Sequence, residues 1–191
     1  MAVGLVLAGG RGARLGGAKA TAPLDGRPLI RHVLDAVEAG GLEPVVVAKS
    51  DTALPALDCR VIAEPDLPRH PLCGIVAGLR ACAADAVVCP ADMPFLSGEL
   101  LAWLATLAEP LVVVAGADGV QPLVGRYGSV LLDVLEPMLA AEPPMRDLAA
   151  ALGARVVGAD ELRRFGDPAR LLANINTPAE LADAGRPVAG G

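Results

Sequence analysis

The sequence predicts a three-layer α/β domain with a mainly parallel sheet, and three observations carry that expectation. Short apolar runs of strand length alternate along the chain with segments of helical period. The residues are 53% hydrophobic but only 2% aromatic, so the core is built from Ala, Leu and Val, which suits helices packed on a buried parallel sheet. The first apolar run, Val3 to Leu7, flows directly into a glycine-rich turn, and in open α/β sheets ligands bind at the carboxyl ends of strands.

The elements follow in order. Strands are predicted over 4–7, 44–48, 61–63, 86–89, 111–115 and 154–157, each an apolar run bounded by turn-forming or charged residues. The first helix has Pro28 at a first-turn position, Leu29, Ile30, Val33, Leu34 and Val37 on one face, and Gly40-Gly41 to end it. A second helix follows Ser97, with Glu99 in its first turn and Leu100, Leu101, Leu104 and Leu107 as its apolar stripe; Trp103 lies off that stripe. An amphipathic stretch over 129–138 is ended or kinked by Pro137. The last helix opens on Thr177-Pro178-Ala179-Glu180, a capping box with proline at its first position. No internal repeat or low-complexity linker interrupts this pattern, so one domain is expected over 1–184, with a Gly- and Pro-rich tail over 185–191 that frays.

Composition excludes several function classes. A net charge of −6 with no basic stripe and no interleaved aromatic residues argues against a nucleic-acid binder. Cys59, Cys73, Cys82 and Cys89 form no C-x-x-C pair and have no histidines at metal-ligand spacing, which reads as reduced thiols in a cytoplasmic protein. No segment approaches the roughly 18 uninterrupted apolar residues of a membrane span. The expectation is a soluble cytoplasmic protein with no membrane partner.

Residues 5–19, LVLAGGRGARLGGAK, carry the chemistry. Glycines at 9, 10, 12, 16 and 17 let a ligand approach the backbone, successive N–H groups in such a turn form an anion-binding concavity, and Arg11, Arg14 and Lys19 add full positive charge. A polyphosphate is the ligand this favours. Two better-known phosphate loops fail on spacing. The dinucleotide fingerprint, started at Gly10, meets Leu15 where its last glycine belongs, and the P-loop fails because Ala18 separates Gly17 from Lys19 and Ala20 replaces the hydroxyl ligand of magnesium.

What remains resembles the signature L-A-G-G-x-x-x-R-M-G-x-x-K of nucleotidyltransferases with the nucleotide-diphospho-sugar transferase fold, a Rossmann-like architecture. Leu15 stands for the usual methionine, and Ala18 for the acid that often precedes the lysine. A second landmark is the apolar run 87–89 followed by Pro90-Ala91-Asp92-Met93-Pro94-Phe95, where an acid at a strand's carboxyl end is held between prolines that restrict the backbone. It resembles the P-x-D-x-P-F element of the same enzymes, whose aspartate binds the catalytic magnesium. The third, Ala173-Asn174-Ile175-Asn176-Thr177-Pro178, puts two amides on one side of an extended run. It resembles the N-x-N-T-P of molybdenum cofactor guanylyltransferases; related cytidylyltransferases more often have aspartates there. Residues 119–127 are similar to a G-x-x-Q-P-L-x-x-x-Y segment that lines the acceptor side, and 66–74 to a loop bordering the nucleotide, in which Arg69 and His70 are candidate acceptor contacts.

The resemblance runs from Leu5 to about Ala184 and implies transfer of GMP from GTP to the terminal phosphate of the molybdopterin cofactor, with Mg²⁺ as the cofactor and pyrophosphate released. It implies Arg14, Lys19 and Asp92 as catalytic residues and Leu7, Ala8, Gly9, Gly10, Gly12, Lys19, Asp66 and Asp92 as the nucleotide site. Gln121 and Asn174 are the implied acceptor contacts, and Asp92 and Asn176 the metal ligands. The acceptor phosphate is already an anionic nucleophile, so no His or Cys nucleophile is needed. GTP and molybdopterin are thus the implied partners, together with accessory proteins of molybdenum-cofactor assembly, and both a monomer and a homo-oligomer fit. Alternatives on the same scaffold are transfer from CTP or to another phosphorylated acceptor, and a GTP-binding module without catalysis.

Overall fold

The computed structural model describes residues 2–9, 19–177 and 179–181. After β1 (Val3–Leu7) come a short hairpin, β2 (Pro23–Leu24) and β3 (Arg27–Pro28), then α1 (Leu29–Ala39), β4 (Glu43–Ala48) and β5 (Arg60–Ala63). The middle of the chain forms α2 (Pro71–Cys82), β6 (Ala86–Pro90), α3 (Gly98–Thr106), β7 (Leu111–Gly116) and β8 (Gly119–Tyr127). Four short helices and a last strand follow: α4 (Leu132–Met138), α5 (Met145–Ala151), β9 (Arg155–Val157), α6 (Ala159–Leu162) and α7 (Pro168–Leu171).

Seven strands form one sheet in the order β5-β4-β1-β6-β8-β7-β9. Pairing is parallel throughout except around β8, which runs antiparallel to both β6 and β7. The predicted three-layer α/β class with a mainly parallel sheet is therefore the fold observed.

Strand periodicity explains the layers, because successive residues point to opposite faces. On β1, Val6 faces one cluster with α1 and α3, while Val3 and Leu5 face the other with α2, α4 and α5. The central strands repeat this, with Val46, Val87 and Val112 on the first face and Val45, Val88 and Val113 on the second. All six are at most 1% exposed, which is why these strands read as continuous apolar runs rather than alternating ones.

Three of the differences from the sequence expectation have a plain local reason. Pro28 precedes α1 as its N-cap residue and ends β3, because its extended ψ of 139° takes it out of the helix. Leu107 caps the C-terminus of α3 instead of belonging to it. The nine-residue strand β8 was not predicted, since Pro122 lies inside it and proline cannot donate to a ladder. The register resolves that conflict: Val113 pairs with Gly125 and Val114 with Gln121, so Pro122 sits in the irregularity between them. The capping box at the last helix forms as predicted, with Glu180 N–H donating to Thr177 Oγ1 at 3.2 Å and the Thr177 N–H donating to Glu180 Oε2 at 3.0 Å. Residues 182–191, including the predicted tail, lie outside the described residues.

Candidate active site

The site forms at the carboxyl ends of β1 and β6, which are direct neighbours in the sheet. Beyond the strands, the Ala91 N–H donates to Leu7 O at 3.0 Å and the Ala8 N–H to Val47 O at 2.9 Å, which fixes both loop entries. Asp92 follows β6, and its carbonyl accepts from the Ile175 N–H at 2.9 Å, which ties the 173–177 run to it. Ile175 is buried with Leu24 and Leu29, so the asparagines on either side of it are turned the other way.

Lys19 brings these parts to one point. Its Nζ donates to Asp92 Oδ2 and to Asn176 Oδ1, and Asn174 Oδ1 lies 3.4 Å away. The Lys19 and Asp92 side chains are only 16% and 17% exposed. Asp92 Oδ1 is buried and has no hydrogen-bond partner among the described residues. A buried acceptor left open in this way is costly unless a ligand fills it.

That oxygen set also decides whether a divalent cation fits. Asp92, Asn174 and Asn176 offer hard oxygen donors gathered around one cationic group, with a free carboxylate oxygen beside it. Among the described residues no three His, Cys, Asp or Glu side chains cluster as a self-sufficient metal cage. One carboxylate plus amide oxygens matches magnesium, which keeps waters and completes its shell with substrate phosphates.

Two cavities of about 500 Å³ each meet at Asp92. The first is lined by Leu7, Ala8, Gly9 and Lys19, as the sequence predicts, and runs on to Lys49 and Glu64. These two are the only buried charged residues among the described ones. Each follows directly on a parallel strand, Lys49 after β4 and Glu64 after β5, and the Glu64 N–H donates to Ala48 O at 2.9 Å. Lys49 Nζ lies 3.4 Å from Glu64 Oε1 and donates to Pro65 O at 2.7 Å. Burial pushes the Glu64 carboxyl above its ordinary value, and the Lys49 ammonium opposes that shift. Glycines leave room for its carboxylate in this position: a Cβ at Gly9 would overlap Glu64 Oε1, and one at Gly74 would lie 3.0 Å from Oε2, so either would displace the Glu64 head group.

The second cavity opens on the other side of Asp92. Gln121 and Asn174 line it together, beside Asp118, Arg146 and the shared Pro90 and Leu123. Its wall is the β7–β8 hairpin, braced by the buried Tyr127 hydroxyl, which donates to Pro122 O at 2.7 Å. Burial drives that phenol well above its ordinary pKa, so it stays protonated as a donor.

Several predicted residues fall elsewhere. Asp66 is exposed, accepts from Ser50 Oγ at 2.9 Å and does not line the first cavity; Glu64, two residues earlier, does, because it is the residue at the strand end. Arg69 and His70 line the first cavity and not the second, and His70 caps α2 by accepting from the Leu72 N–H at 3.3 Å. Gly10, Gly12 and Arg14 lie outside the described residues, as do Arg11, Gly16 and Gly17. The four cysteines are free thiols, and burial pushes the Cys89 thiol up to about 12, far from a reactive thiolate. Lys49 and Glu64 were missed, although a charge ending each of two apolar strand runs was the available signal.

Comparison with known proteins agrees with this geometry. Residues 4–169 match the family model described as a MobA-like NTP transferase domain. The chain is 37% identical to a molybdenum cofactor guanylyltransferase of Cereibacter sphaeroides, covering 95% of this chain and 94% of that protein. It is 34% identical to one of Pseudomonas putida, covering 94% and 95%. The solved structure of molybdopterin-guanine dinucleotide biosynthesis protein A from Archaeoglobus fulgidus superposes with a TM-score of 0.77 at 27% identity, covering 97% of both chains. With sheet order, strand-end acid and paired asparagines in place, the chain belongs to the MobA-like NTP transferase family and is a nucleotidyltransferase.

Proposed function

We propose that this chain transfers GMP from GTP to the terminal phosphate of molybdopterin, releasing pyrophosphate and forming the guanine dinucleotide cofactor. The observation that carries the reading is Asp92: a carboxylate with one buried open oxygen, standing where two cavities of nucleotide and acceptor size meet. The first cavity takes GTP, with its triphosphate beside Lys19 and the strand-end residues 7–9. The second takes molybdopterin, beside Gln121 and Asn174.

In the reaction a terminal phosphate oxygen of the acceptor attacks the α-phosphorus of GTP. A new P–O–P linkage forms, and the bond from the α-phosphorus to the oxygen bridging to the β-phosphorus breaks, so that oxygen leaves with pyrophosphate. Lys19 neutralises charge on the departing group, which no proton-transfer residue needs to assist. Asp92 and Asn176, with Asn174 nearby, are the residues that would hold Mg²⁺. Bound there, Mg²⁺ makes the α-phosphorus more electrophilic and screens the negative charge of the phosphates. Arg14 adds a further cation in the same role.

Base choice belongs to Glu64 and Lys49. Guanine presents N–H donors at N1 and N2 and an acceptor at O6, which complement a carboxylate and an ammonium. Cytosine would turn acceptors toward the same carboxylate, leaving a buried charge unpaired. GTP as substrate goes with a cytoplasmic location, and no helix among the described residues is long and apolar enough to cross a membrane.

The test is pyrophosphate release with each of the four nucleoside triphosphates, with and without molybdopterin. Release with GTP, dependent on molybdopterin, is expected. Equal release with CTP, or none with any nucleotide, contradicts the reading. Asp92→Asn should lower turnover by about 10²–10³-fold, the scale of about 2.7–4 kcal/mol for one preorganised electrostatic group.

A further inference from the structure

The cations among the described residues are almost all committed. Among the described residues, Arg27, Arg31, Arg69, Arg80, Arg126, Arg155 and Arg163 are held by carboxylates. Arg60 donates to Ala81 O at 3.1 Å, Arg164 lies over Trp103 and Phe165, and Arg170 lies over Phe95. Lys19 and Lys49 are paired inside the first cavity. Arg146 alone among the described lysines and arginines has no ion pair, hydrogen bond or ring contact, and it lines the second cavity.

The charge of that cavity gives this meaning. Its other charged lining residues are Asp92 and Asp118, both acids. A phosphate monoester carries close to two negative charges at neutral pH, so it enters a cavity with two carboxylates only if a cation offsets them. Lys19, which lines the first cavity and not the second, is already engaged by Asp92 and Asn176. An arginine also supplies a planar fork of donors that matches two phosphate oxygens at once. Because no partner has to be released first, Arg146 can take the anion without breaking an existing contact.

We infer that Arg146 is the ligand for the acceptor's phosphate, the residue that selects a phosphorylated acceptor in the second cavity. This rests on the proposed transfer to molybdopterin for the identity of the acceptor. The phosphate is that of the proposed acceptor; what the cavity adds is that Arg146 is its one cationic lining residue among the described residues, beside Asp92 and Asp118. Arg146 grips the phosphate while Gln121 and Asn174 remain available to the rest of the acceptor.

The experiment measures equilibrium binding of molybdopterin, by titration calorimetry without nucleotide, to the unmodified chain, Arg146→Ala and Arg146→Lys. GTP binding to the same three proteins is the control. Arg146→Ala should weaken molybdopterin binding at least tenfold, Arg146→Lys should recover part of it, and GTP binding should stay within twofold. Molybdopterin binding to Arg146→Ala within twofold of the unmodified chain overturns the inference, as does equal loss of GTP binding. A second arm titrates methyl phosphate and follows the arginine Nε–H resonance that is missing from the Arg146→Ala spectrum. That resonance should shift, and its immobility overturns the inference. If the unmodified chain fails to bind molybdopterin while this resonance shifts, Arg146 stands as a phosphate ligand and the molybdopterin reading falls.

Discussion

The two cavities beside Asp92 are similar in size and opposite in construction. The first, proposed for the nucleotide, is made by the ends of parallel strands β1, β4, β5 and β6, and its lysines are already matched, Lys19 with Asp92 and Lys49 with Glu64. The second, proposed for the acceptor, is made largely by the antiparallel β7–β8 hairpin and the start of α5, and its cation, Arg146, is unmatched. A preorganised buried pair suits reading one base through a fixed pattern of donors and acceptors, whereas an open arginine suits an anion without prescribing what carries it. On the proposed roles, a rigid donor site and a more general phosphate site share a single carboxylate, Asp92.

The largest effect that would break the contrast is at Lys49. Removing it by Lys49→Met leaves Glu64 buried and uncompensated, and breaking such a pair costs about 3–5 kcal/mol. The loss depends on pH with a definite sign. Burial raises the folded Glu64 pKa above the ordinary 4.5, so its stabilising contribution is complete below that value and is lost as pH rises through the folded pKa. Without Lys49 the folded pKa rises further. Urea unfolding should therefore find Lys49→Met closer to the unmodified chain near pH 5 than at pH 8; a deficit that does not shrink in acid would contradict the paired-charge description.

Next in size is the base-reading role proposed for Glu64. Glu64→Gln removes a charged hydrogen-bond acceptor, which is worth about 1.5–3 kcal/mol, or roughly 10–150-fold in GTP affinity. In the unmodified protein, GTP affinity should fall as pH drops through the raised Glu64 pKa, beginning above 4.5. Titration calorimetry should find that acid limb absent from Glu64→Gln.

The smallest effect sharpens the acceptor side. Tyr127→Phe deletes the bond to Pro122 O and should cost about 1 kcal/mol in thermal unfolding. Because that bond braces the hairpin wall, the accompanying rise should be in the molybdopterin KM rather than the GTP KM.

The same division governs what the sequence could reveal. The parallel half is written in uninterrupted apolar runs, and its strands were predicted close to their observed bounds. Lys19, Asp92, Asn174 and Asn176 were legible because each sits in a contiguous motif, and the fold brings them to one point. Strand β8 was hidden by Pro122, whose place in a register irregularity depends on pairing with β7. Glu64 and Lys49 are 15 positions apart in the chain and belong to no local pattern; only the parallel pairing of β4 with β5 joins them. Asp66 looked suitable from loop position, yet its side chain, three residues beyond the end of β5, is exposed and accepts from Ser50. Arg146 carries no sequence signal, since its significance is that every other described cation is occupied.

The most direct test is two-substrate kinetics on Glu64→Gln and Arg146→Ala in parallel. Glu64→Gln should raise the KM for GTP at least tenfold and leave that for molybdopterin within twofold, and Arg146→Ala should do the reverse. If both variants raise the same constant, the two cavities are not separate donor and acceptor sites.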